Sequence, residues 1–372
     1  MSGLDPSASR LLHSLPRSSS SFAARREEER VKKSAVRVTP GLFDLQVNGF
    51  AGIDFNDAAI TPDMLDHALN KMCSTGVTLC LPTLITALPD ALEARFKALD
   101  RAVQKGRFGP AMCPGYHLEG PFLNPTDGYR GCHPHTAMTS ADPALVERLE
   151  AGLSRPILLI TLAPEVEGAV ELIGWAKARG KVVAIGHSAA KGEVLSTAIK
   201  AGLSLSTHLG NGVPQSVHKL DNTILAQLAE DDLFADFIAD GIHIPPHALK
   251  VLLRAKGKER SILVTDAVSA AAAESIGLHP FAGFTIELDR DGKVHLPGQS
   301  LLAGSSLTLD TAIRNIVNWG FVSFEDAIAM ASANPRRFMA GAFAAHGITL
   351  PFQGGVTWSD AFEVERSELY VN

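Results

Sequence analysis

Apolar and polar positions form alternating blocks along most of this 372-residue chain. From residue 40 onward, short β-rich apolar runs are separated by longer segments whose apolar residues recur at helical spacing. Near-continuous apolar runs predict strands buried on both faces, and the amphipathic segments between them predict helices that cover a parallel sheet. Eight such runs occur, at residues 41–49, 76–84, 112–120, 155–165, 181–189, 203–211, 233–243 and 260–268.

Eight β/α units are the number that closes a barrel. An open, doubly wound sheet is the alternative, but no G-x-G-x-x-G motif follows the first run. We therefore predict an α/β fold, a (β/α)8 TIM-type barrel over residues 37–340, with a small, reduced β-sheet appendage from the C-terminal segment. Residues 341–372 contain two alternating runs, which predict a short β-rich tail that packs on the barrel.

Three other segments have recognisable patterns. Residues 281–298 predict a hairpin that turns at Asp291–Gly292. Residues 323–341 predict one helix, with Ser323 as its N-cap and Pro335 near its end. Residues 1–36 are rich in Ser and Arg and predict a disordered or loosely structured extension. A transit peptide is the competing interpretation, although the Glu-Glu-Glu run is unusual in such peptides.

Composition narrows the class of protein. The chain is 46% hydrophobic and 20% charged, which is ordinary globular usage, and its net charge of -6 argues against a nucleic-acid-binding surface. No run approaches the roughly 18 apolar residues that a membrane-spanning helix needs. The cysteines show no C-x-x-C spacing, which predicts free thiols in a reducing cytoplasm. They are Cys73, Cys80, Cys113 and Cys132.

Ionisable side chains stand at the ends of successive apolar runs, where this type of barrel places its active site. Any one of them could be a hydrogen-bonded structural residue or a helix cap. Together, their convergence on one mouth would cost stability unless a metal or a substrate compensated it. The residues are His117 and Glu119 after the third run, His187 after the fifth, His208 after the sixth, Asp240 and His243 after the seventh, and Asp266 after the eighth.

A subset of these residues forms a metal-ligand set. Glu119, His187 and His208 offer one carboxylate and two imidazoles, which suit zinc or a similar divalent ion with a position left for water. Such an ion lowers the pKa of its bound water towards about 7. Asp266 could then accept the proton of that water and later deliver it to a leaving group. The combination predicts hydrolysis of an amide or an ester.

Seven motifs, in order, carry a family resemblance: PGLFDLQVNG, HLEGPFLNP followed by GCHP, AIGHSAA, STHLGNG, ADGIHIPP, LVTDAVSA and LAGSSLTLDTAIRN. Together they resemble the N-acetylglucosamine-6-phosphate deacetylases of the amidohydrolase superfamily, over about residues 40 to 340. The resemblance implies hydrolysis of the acetamide of N-acetylglucosamine 6-phosphate to glucosamine 6-phosphate and acetate.

The resemblance also implies roles for individual residues. Glu119, His187 and His208 match the metal ligands, Asp266 matches the general base and acid, and His133 matches a histidine that polarises the scissile carbonyl. A homodimer is implied, in which the partner chain completes the phosphate site with His218 and Lys219. The implied substrate-binding positions are His133, Asn211, Gly212, His218, Lys219, Asp240, Gly241, His243, Ala303 and Gly304.

The sequence departs from the family pattern near the sugar site. It has HLGNGV where the family usually has HLFNAM, and Lys219 stands where arginine is common. A related single-metal amidohydrolase that deacylates another N-acyl amino sugar or a small amide is therefore an alternative. A two-metal cyclic-amide hydrolase is disfavoured because the fourth run contains no lysine to bridge two ions. A metal-free barrel with a binding role is the third hypothesis.

The first run carries Asp44, Gln46 and Asn48 on one strand face. In the superfamily this strand commonly carries His-x-His, which holds a second metal, and Gln46 and Asn48 occupy those two places. Amide oxygens are poor ligands for a zinc-like ion. We interpret Gln46 and Asn48 as a vestigial second-metal position and Asp44 as a brace for the strand end. The prediction is one divalent ion per chain, zinc first, with iron, cobalt or manganese as alternatives.

Overall fold

The structure is a computed structural model that describes residues 37–350 and 354–369, so the predicted extension at residues 1–36 lies outside the described residues. The strands are β1 (Arg37–Pro40), β2 (Leu42–Val47), β3 (Gly49–Phe50), β4 (Ile53–Asp54), β5 (Val77–Ile85), β6 (Tyr116–Glu119), β7 (Ile157–Leu162), β8 (Val182–Ile185), β9 (Leu205–Ser206), β10 (Phe234–Ile238), β11 (Ser261–Val264), β12 (Gly277–Phe281), β13 (Phe284–Leu288), β14 (Val294–His295), β15 (Gly355–Trp358) and β16 (Val364–Ser367).

The helices alternate with the barrel strands and then continue after the last of them. They are α1 (Pro62–Ser74), α2 (Pro89–Lys105), α3 (Gly109–Met112), α4 (Pro143–Glu150), α5 (Ala169–Ala178), α6 (Gly192–Ala201), α7 (Thr223–Ala229), α8 (Pro246–Lys256), α9 (Leu309–Asn318), α10 (Phe324–Ala331) and α11 (Ala333–Ala345).

Eight parallel strands confirm the predicted (β/α)8 barrel. Strands β2 and β5 to β11 pair in chain order, and each predicted apolar run supplies one of them. The first and last strands meet where the N–H of Asp266 donates to the carbonyl of Gln46 (3.0 Å) and the N–H of Asn48 donates to the carbonyl of Ala267 (2.7 Å). This closure brings the polar end of the first strand beside Asp266.

The barrel helices show the signals that local sequence supplies. Helix α1 begins at Pro62, and its N-cap Thr61 accepts a hydrogen bond from the N–H of Met64 (3.3 Å). Proline is favoured in the first turn because the first N–H groups of a helix have no partner within it. The buried face of the helix, including Leu65 and Leu69, packs on fully buried β5. The other barrel helices pack in the same way, each with an apolar stripe against the apolar strands.

A buried polar network fills part of the barrel interior. Nε2 of His117 lies 2.8 Å from Oγ1 of Thr161, and that hydroxyl lies 2.8 Å from Oγ1 of Thr207. Nδ1 of His117 lies 3.4 Å from Oγ1 of Thr83. Burial lowers the pKa of His117 to about 4, so the ring is neutral at neutral pH. His117 is therefore a hydrogen-bonded structural residue beneath the mouth.

Small sheets flank the barrel. The predicted hairpin is confirmed, because β13 and β14 pair antiparallel on either side of Asp291–Gly292, and β12 adds a third strand. The C-terminal appendage contains β15 and β16 as expected. It also takes in β1, which immediately precedes the barrel, so that the order is β1-β15-β16. Trp358 fixes this sheet through a hydrogen bond from Nε1 to Oγ1 of Thr39 (2.8 Å).

The prediction of a single helix over residues 323–341 is wrong. Ser323 is the N-cap of α10, as predicted, but the helix ends at Ala331 and α11 begins at Ala333. Pro335 explains the break, since it lacks the N–H that would bond to the carbonyl of Ala331 and its ring would clash with that carbonyl. Ser332 stands at the junction and donates a hydrogen bond to the carbonyl of Gly41 (2.8 Å).

All four cysteine thiols are free, as predicted. Within residues 37–350 and 354–369, no helix combines the length and the apolar character that crossing a membrane requires.

Candidate active site

A cavity of about 800 Å³ opens at the carboxyl ends of the barrel strands. Its wall contains residues from most of the predicted strand ends and from the β13–β14 hairpin. The predicted site residues that line it are Asn48, Glu119, His133, His187, His208, Asn211, Gly212, His243, Asp266 and Gly304. Those outside its lining are Gln46, His218, Lys219, Asp240, Gly241 and Ala303.

Glu119 is the centre of the candidate metal site. Its Oε1 lies 3.3 Å from Nε2 of His187 and 3.1 Å from Nε2 of His208. The three side chains come from the ends of β6, β8 and β9, and all of them are buried. The two imidazole rings are nearly perpendicular, with centroids 4.9 Å apart. Two imidazole nitrogens thus converge on a single carboxylate oxygen.

Backbone groups orient His187. Its Nδ1 donates a hydrogen bond of 2.7 Å to the carbonyl of Tyr129, and this contact turns Nε2 towards Glu119. Gly212 packs against the same ring. A Cβ at Gly212 would lie 2.8 Å from Nδ1 of His187, and its φ of 61° is also one that favours glycine.

Asp236 supports His208 from beneath. Its Oδ1 accepts a hydrogen bond of 2.5 Å from the backbone N–H of His208. Burial raises the pKa of Asp236 to about 7. Sequence reasoning missed this residue, although an acid inside the apolar run of β10 was a signal that it has a specific partner.

His133 reaches the cluster from the loop after β6. Its ring centroid lies 4.5 Å from that of His187, and its Nδ1 lies 2.8 Å from Oγ1 of Thr86. Burial, with the neighbouring charge of His187, lowers the pKa of His133 to about 3, so the ring is neutral at neutral pH. His133 is thus a neutral imidazole at the edge of the Glu119 site.

The electrostatics keep Glu119 ionised. Burial opposes ionisation, but the hydrogen bonds from His187 and His208 outweigh it and hold the pKa of Glu119 well below its usual value. Burial likewise opposes the charged form of His208, yet Glu119 raises its pKa to about 9. An ionised carboxylate among imidazoles is a strong attractor for a cation.

The donor set fits a divalent cation. One ligand atom from each of Glu119, His133 and His187 lies within 4.8 Å of the others, and His208 lies within hydrogen-bond distance of the same carboxylate. Carboxylate and imidazole are the donors that zinc and neighbouring divalent ions prefer. The cluster is therefore a candidate metal-binding site.

Asp266 lies at the seam between the first and last barrel strands, and two side-chain amides hold its carboxylate. Its Oδ1 accepts hydrogen bonds from Nδ2 of Asn48 (2.8 Å) and Nε2 of Gln46 (3.2 Å). Burial, followed by the charge of Glu119, raises the pKa of Asp266 to about 6. The amides therefore contact a carboxylate that can change protonation state near neutral pH.

Asp44 braces the strand seam below this pair. Oγ1 of Thr265 donates a hydrogen bond of 2.6 Å to Oδ2 of Asp44, and the N–H of Thr265 lies 3.2 Å from its Oδ1. Burial raises the pKa of Asp44 to about 7. The arrangement fits the bracing role that we predicted for Asp44.

Three site residues have left-handed backbone conformations. His187, His208 and Asp266 have φ values of 52°, 32° and 49°, and each follows its barrel strand by two residues. Non-glycine residues rarely adopt this region, and such conformations concentrate at functional sites. This backbone turn at each strand end accompanies the placement of the side chain at the cavity.

The remaining predicted substrate contacts divide into two groups. Nδ1 of His243 lies 2.6 Å from Oδ2 of Asp240, so Asp240 orients a histidine that lines the cavity. His218 and Lys219 are exposed, and Nδ1 of His218 accepts a hydrogen bond from the N–H of Asp221 (2.9 Å). In one chain the structure does not bring these two residues into the cavity lining.

Comparison with known proteins identifies relatives. The chain is 33% identical over 308 residues to the N-acetylgalactosamine-6-phosphate deacetylase of Escherichia coli O157:H7, covering 83% of this chain and 79% of that protein. It is 32% identical over 303 residues to the N-acetylglucosamine-6-phosphate deacetylase of Bacillus subtilis (strain 168), covering 79% and 73%. No protein-family model matches the chain.

A solved structure shares the fold. It is a variant of the N-acetyl-D-glucosamine-6-phosphate deacetylase of Mycobacterium smegmatis in complex with N-acetyl-D-glucosamine-6-phosphate. The TM-score is 0.79 at 26% identity, and the match covers 90% of this chain and 86% of that one. With the barrel, the Glu119 cluster and the extent of these matches, the chain belongs to the N-acetylglucosamine-6-phosphate deacetylase family of the amidohydrolase superfamily.

Proposed function

We propose that this protein hydrolyses the acetamide of N-acetylglucosamine 6-phosphate to glucosamine 6-phosphate and acetate. One observation carries the proposal: Nε2 of His187 and Nε2 of His208 converge on Oε1 of Glu119 in the cavity that Asp266 also lines. The relatives add the substrate class, because their names specify deacetylases of N-acetylated amino-sugar 6-phosphates.

Glu119, His187 and His208 would hold one divalent ion, with zinc the first choice and iron, cobalt or manganese as alternatives. When bound, the ion would supply a Lewis acid that lowers the pKa of a coordinated water towards about 7. The chain contributes the preorganisation. Tyr129 fixes the tautomer of His187, and Asp236 fixes the backbone of His208.

Asp266 would act as general base and then as general acid. Its Oδ1 accepts hydrogen bonds from the two amides, and Asp266 lines the same cavity as Glu119. A carboxyl with a pKa of about 6 is ionised at neutral pH and can accept a proton from the attacking water. The same carboxyl, once protonated, can deliver that proton to the departing amine.

His133 would contact the acetyl carbonyl. When its Nδ1 accepts a hydrogen bond from Thr86, the neutral ring carries its proton on Nε2 and can donate it to a carbonyl oxygen. Such a donor stabilises the charge that develops on that oxygen.

The substrate pocket would be completed in a homodimer. Leu220 is 71% exposed, and it stands directly after exposed His218 and Lys219. Val217 and Leu225 add further exposed apolar surface around the same loop. Exposed apolar surface of this kind marks protein interfaces, which supports a contact with a partner chain here.

The cytoplasmic location expected from the cysteines stays a prediction.

Purified protein should be assayed for acetate release from three sugars: N-acetylglucosamine 6-phosphate, its C4 epimer N-acetylgalactosamine 6-phosphate, and unphosphorylated N-acetylglucosamine. We expect the highest kcat/KM with the first. The galacto epimer is included because one relative is named for it. Higher turnover of that epimer would reassign the sugar, and no acetate release from any of the three would overturn the proposed function.

A further inference from the structure

One barrel strand supplies no residue to the cavity wall. Among the described residues, the lining includes a residue from the carboxyl end of every barrel strand, or from the loop that follows it, except β7. The loop after β7 instead carries Glu165, an exposed acid outside the cavity lining. Glu165 therefore has no role in the function proposed above.

Glu165 holds the residues that directly follow His187. Its Oε2 accepts a hydrogen bond of 2.6 Å from Oγ of Ser188, and its Oε1 accepts one of 2.6 Å from the N–H of Ala189. Oγ of Ser188 in turn accepts a hydrogen bond from the N–H of Ala190 (3.0 Å). Both oxygens of one carboxylate are thus bonded to the chain immediately after a proposed metal ligand.

The same carboxylate holds the loop that orients the ring of His187. Oε1 of Glu165 accepts a hydrogen bond of 2.8 Å from Nδ2 of Asn124. The N–H of Asn124 donates to the carbonyl of His187 (3.1 Å), and its Oδ1 accepts from the N–H of Thr126 (2.9 Å). The carbonyl of Thr126 accepts from the N–H of Tyr129 (3.1 Å), the residue that bonds to Nδ1 of His187. Glu165 therefore joins the two segments that contact His187.

The backbone of His187 requires such support. Its φ of 52° lies in the left-handed region, which is unfavourable for a residue other than glycine. A conformation of this kind persists only where the surrounding structure holds it. Hydrogen bonds that a carboxylate accepts are stronger than those between neutral groups, so Glu165 is suited to hold this turn.

We propose that Glu165 is a positioning residue for His187. By tying Ser188, Ala189 and Asn124 together, its carboxylate fixes the direction in which the imidazole points towards Glu119. This inference rests on the metal site of the proposed function. Residues that orient a metal-ligating histidine contribute to metal affinity without contacting the ion.

The test compares two substitutions of Glu165. Glu165→Ala removes all three hydrogen bonds, whereas Glu165→Gln keeps the length of the side chain and one carbonyl oxygen. Glu167→Ala is the matched control, because Glu167 is an exposed acid two residues further along the chain. The first readout is the Kd for zinc, measured by competition with a chromophoric chelator. The second is the visible absorption spectrum of the cobalt(II)-loaded protein, which reports the geometry of the ligands.

We expect Glu165→Ala to raise the Kd for zinc about 10-fold and to change the cobalt(II) spectrum. This is the lower end of the range of about 10- to 100-fold for residues that orient a metal ligand, because solvent competes for an exposed carboxylate. Glu165→Gln should retain most of the affinity and Glu167→Ala all of it. An unchanged Kd in Glu165→Ala, or an equal rise in Glu167→Ala, would overturn the inference.

Thermal unfolding of the metal-free proteins separates positioning from a general loss of stability. A merely structural Glu165 would lower the unfolding temperature of the metal-free protein and leave the Kd for zinc of the folded protein unchanged. If Glu165→Ala does not fold, Ser188→Ala removes one of the hydrogen bonds from the opposite side. A raised Kd for zinc in that variant would support the inference, and an unchanged Kd would overturn it.

Neither zinc binding nor the cobalt(II) spectrum depends on turnover. Wild type that binds zinc but releases acetate from none of the three sugars would refute the proposed function, while a weakened zinc site in Glu165→Ala would still support the role of Glu165. Equal zinc affinity of wild type and Glu165→Ala would exclude that role even in an active deacetylase.

Discussion

Nδ2 of Asn48 donates a hydrogen bond of 2.8 Å to Oδ1 of Asp266, across the seam where the first and last barrel strands meet. Gln46 donates to the same oxygen over 3.2 Å. The two amides that we interpreted as a vestigial metal position therefore contact the carboxylate of Asp266. We expect them to position the proposed general base.

Asn48→Ala should lower kcat about 10- to 100-fold, because it removes a hydrogen bond to a charged group. KM should change little, since the amide acts through Asp266. Gln46→Ala should lower kcat by a smaller factor, because the hydrogen bond from Gln46 is longer. Steady-state kinetics of the single and double variants, with metal content measured in parallel, check this expectation. A kcat within twofold of wild type in Asn48→Ala would remove its positioning role.

Asp266→Asn should lower kcat by roughly 10²–10⁴, the usual range for losing a general acid or base, while metal is retained. The wild-type pH profile is the second measurement. Because Asp266 must be ionised to accept a proton and its pKa is raised to about 6, kcat/KM should fall as the pH drops through that value. Activity that stays level from neutrality down to about pH 5 would contradict this assignment.

Metal content should be one divalent ion per chain, because amides occupy the second position. His208→Ala should lose metal and activity together, whereas His133→Ala should keep the metal and lose activity. Elemental analysis of the purified variants distinguishes the two roles. Metal retained in His208→Ala would remove that residue from the ligand set, and metal lost in His133→Ala would add His133 to it. Two ions in wild type would refute the single-metal interpretation.

Asp44 should make stability depend on pH. Its pKa is raised from 3.8 to about 7, so the folded chain holds this proton at pH values where the unfolded chain has lost it. The contribution is complete below the unfolded pKa and declines as the pH rises to about 7, by about 1.4 kcal/mol per pH unit for one proton. Asp44→Asn lacks this titration.

Thermal unfolding of wild type and Asp44→Asn between about pH 5 and pH 7 checks the sign of this effect. The advantage of wild type should shrink as the pH rises. Parallel curves for the two proteins would show that Asp44 does not titrate in this range.

The periodicity of the chain predicted the barrel because each strand and helix is specified locally, by an apolar run or an amphipathic stripe. The strand-end residues Glu119, His187 and Asp266 followed from that periodicity, since parallel strands share one carboxyl edge. Ser323 was predictable as an N-cap for the same local reason.

Contacts between residues that are distant in the sequence were harder to predict from local patterns. The contact of Tyr129 with His187 joins residues 58 positions apart through a backbone carbonyl, which has no side-chain signal. Asp236 and the break before Pro335 do have local signals, an acid inside an apolar run and a proline inside a helical pattern. That the β13–β14 hairpin lines the cavity depends on how the hairpin packs on the barrel, which its own residues do not specify.

His187, His208 and Asp266 have left-handed backbone conformations, which are energetically unfavourable for residues other than glycine. Glycine would adopt these φ values freely, whereas other L-residues pay on the order of 1–2 kcal/mol at each. A sequence optimised only for stability would therefore place glycine at all three positions and erase the site. Stabilising this protein by consensus or design should exempt these positions, where the less favourable residue is the one to which we assign a function.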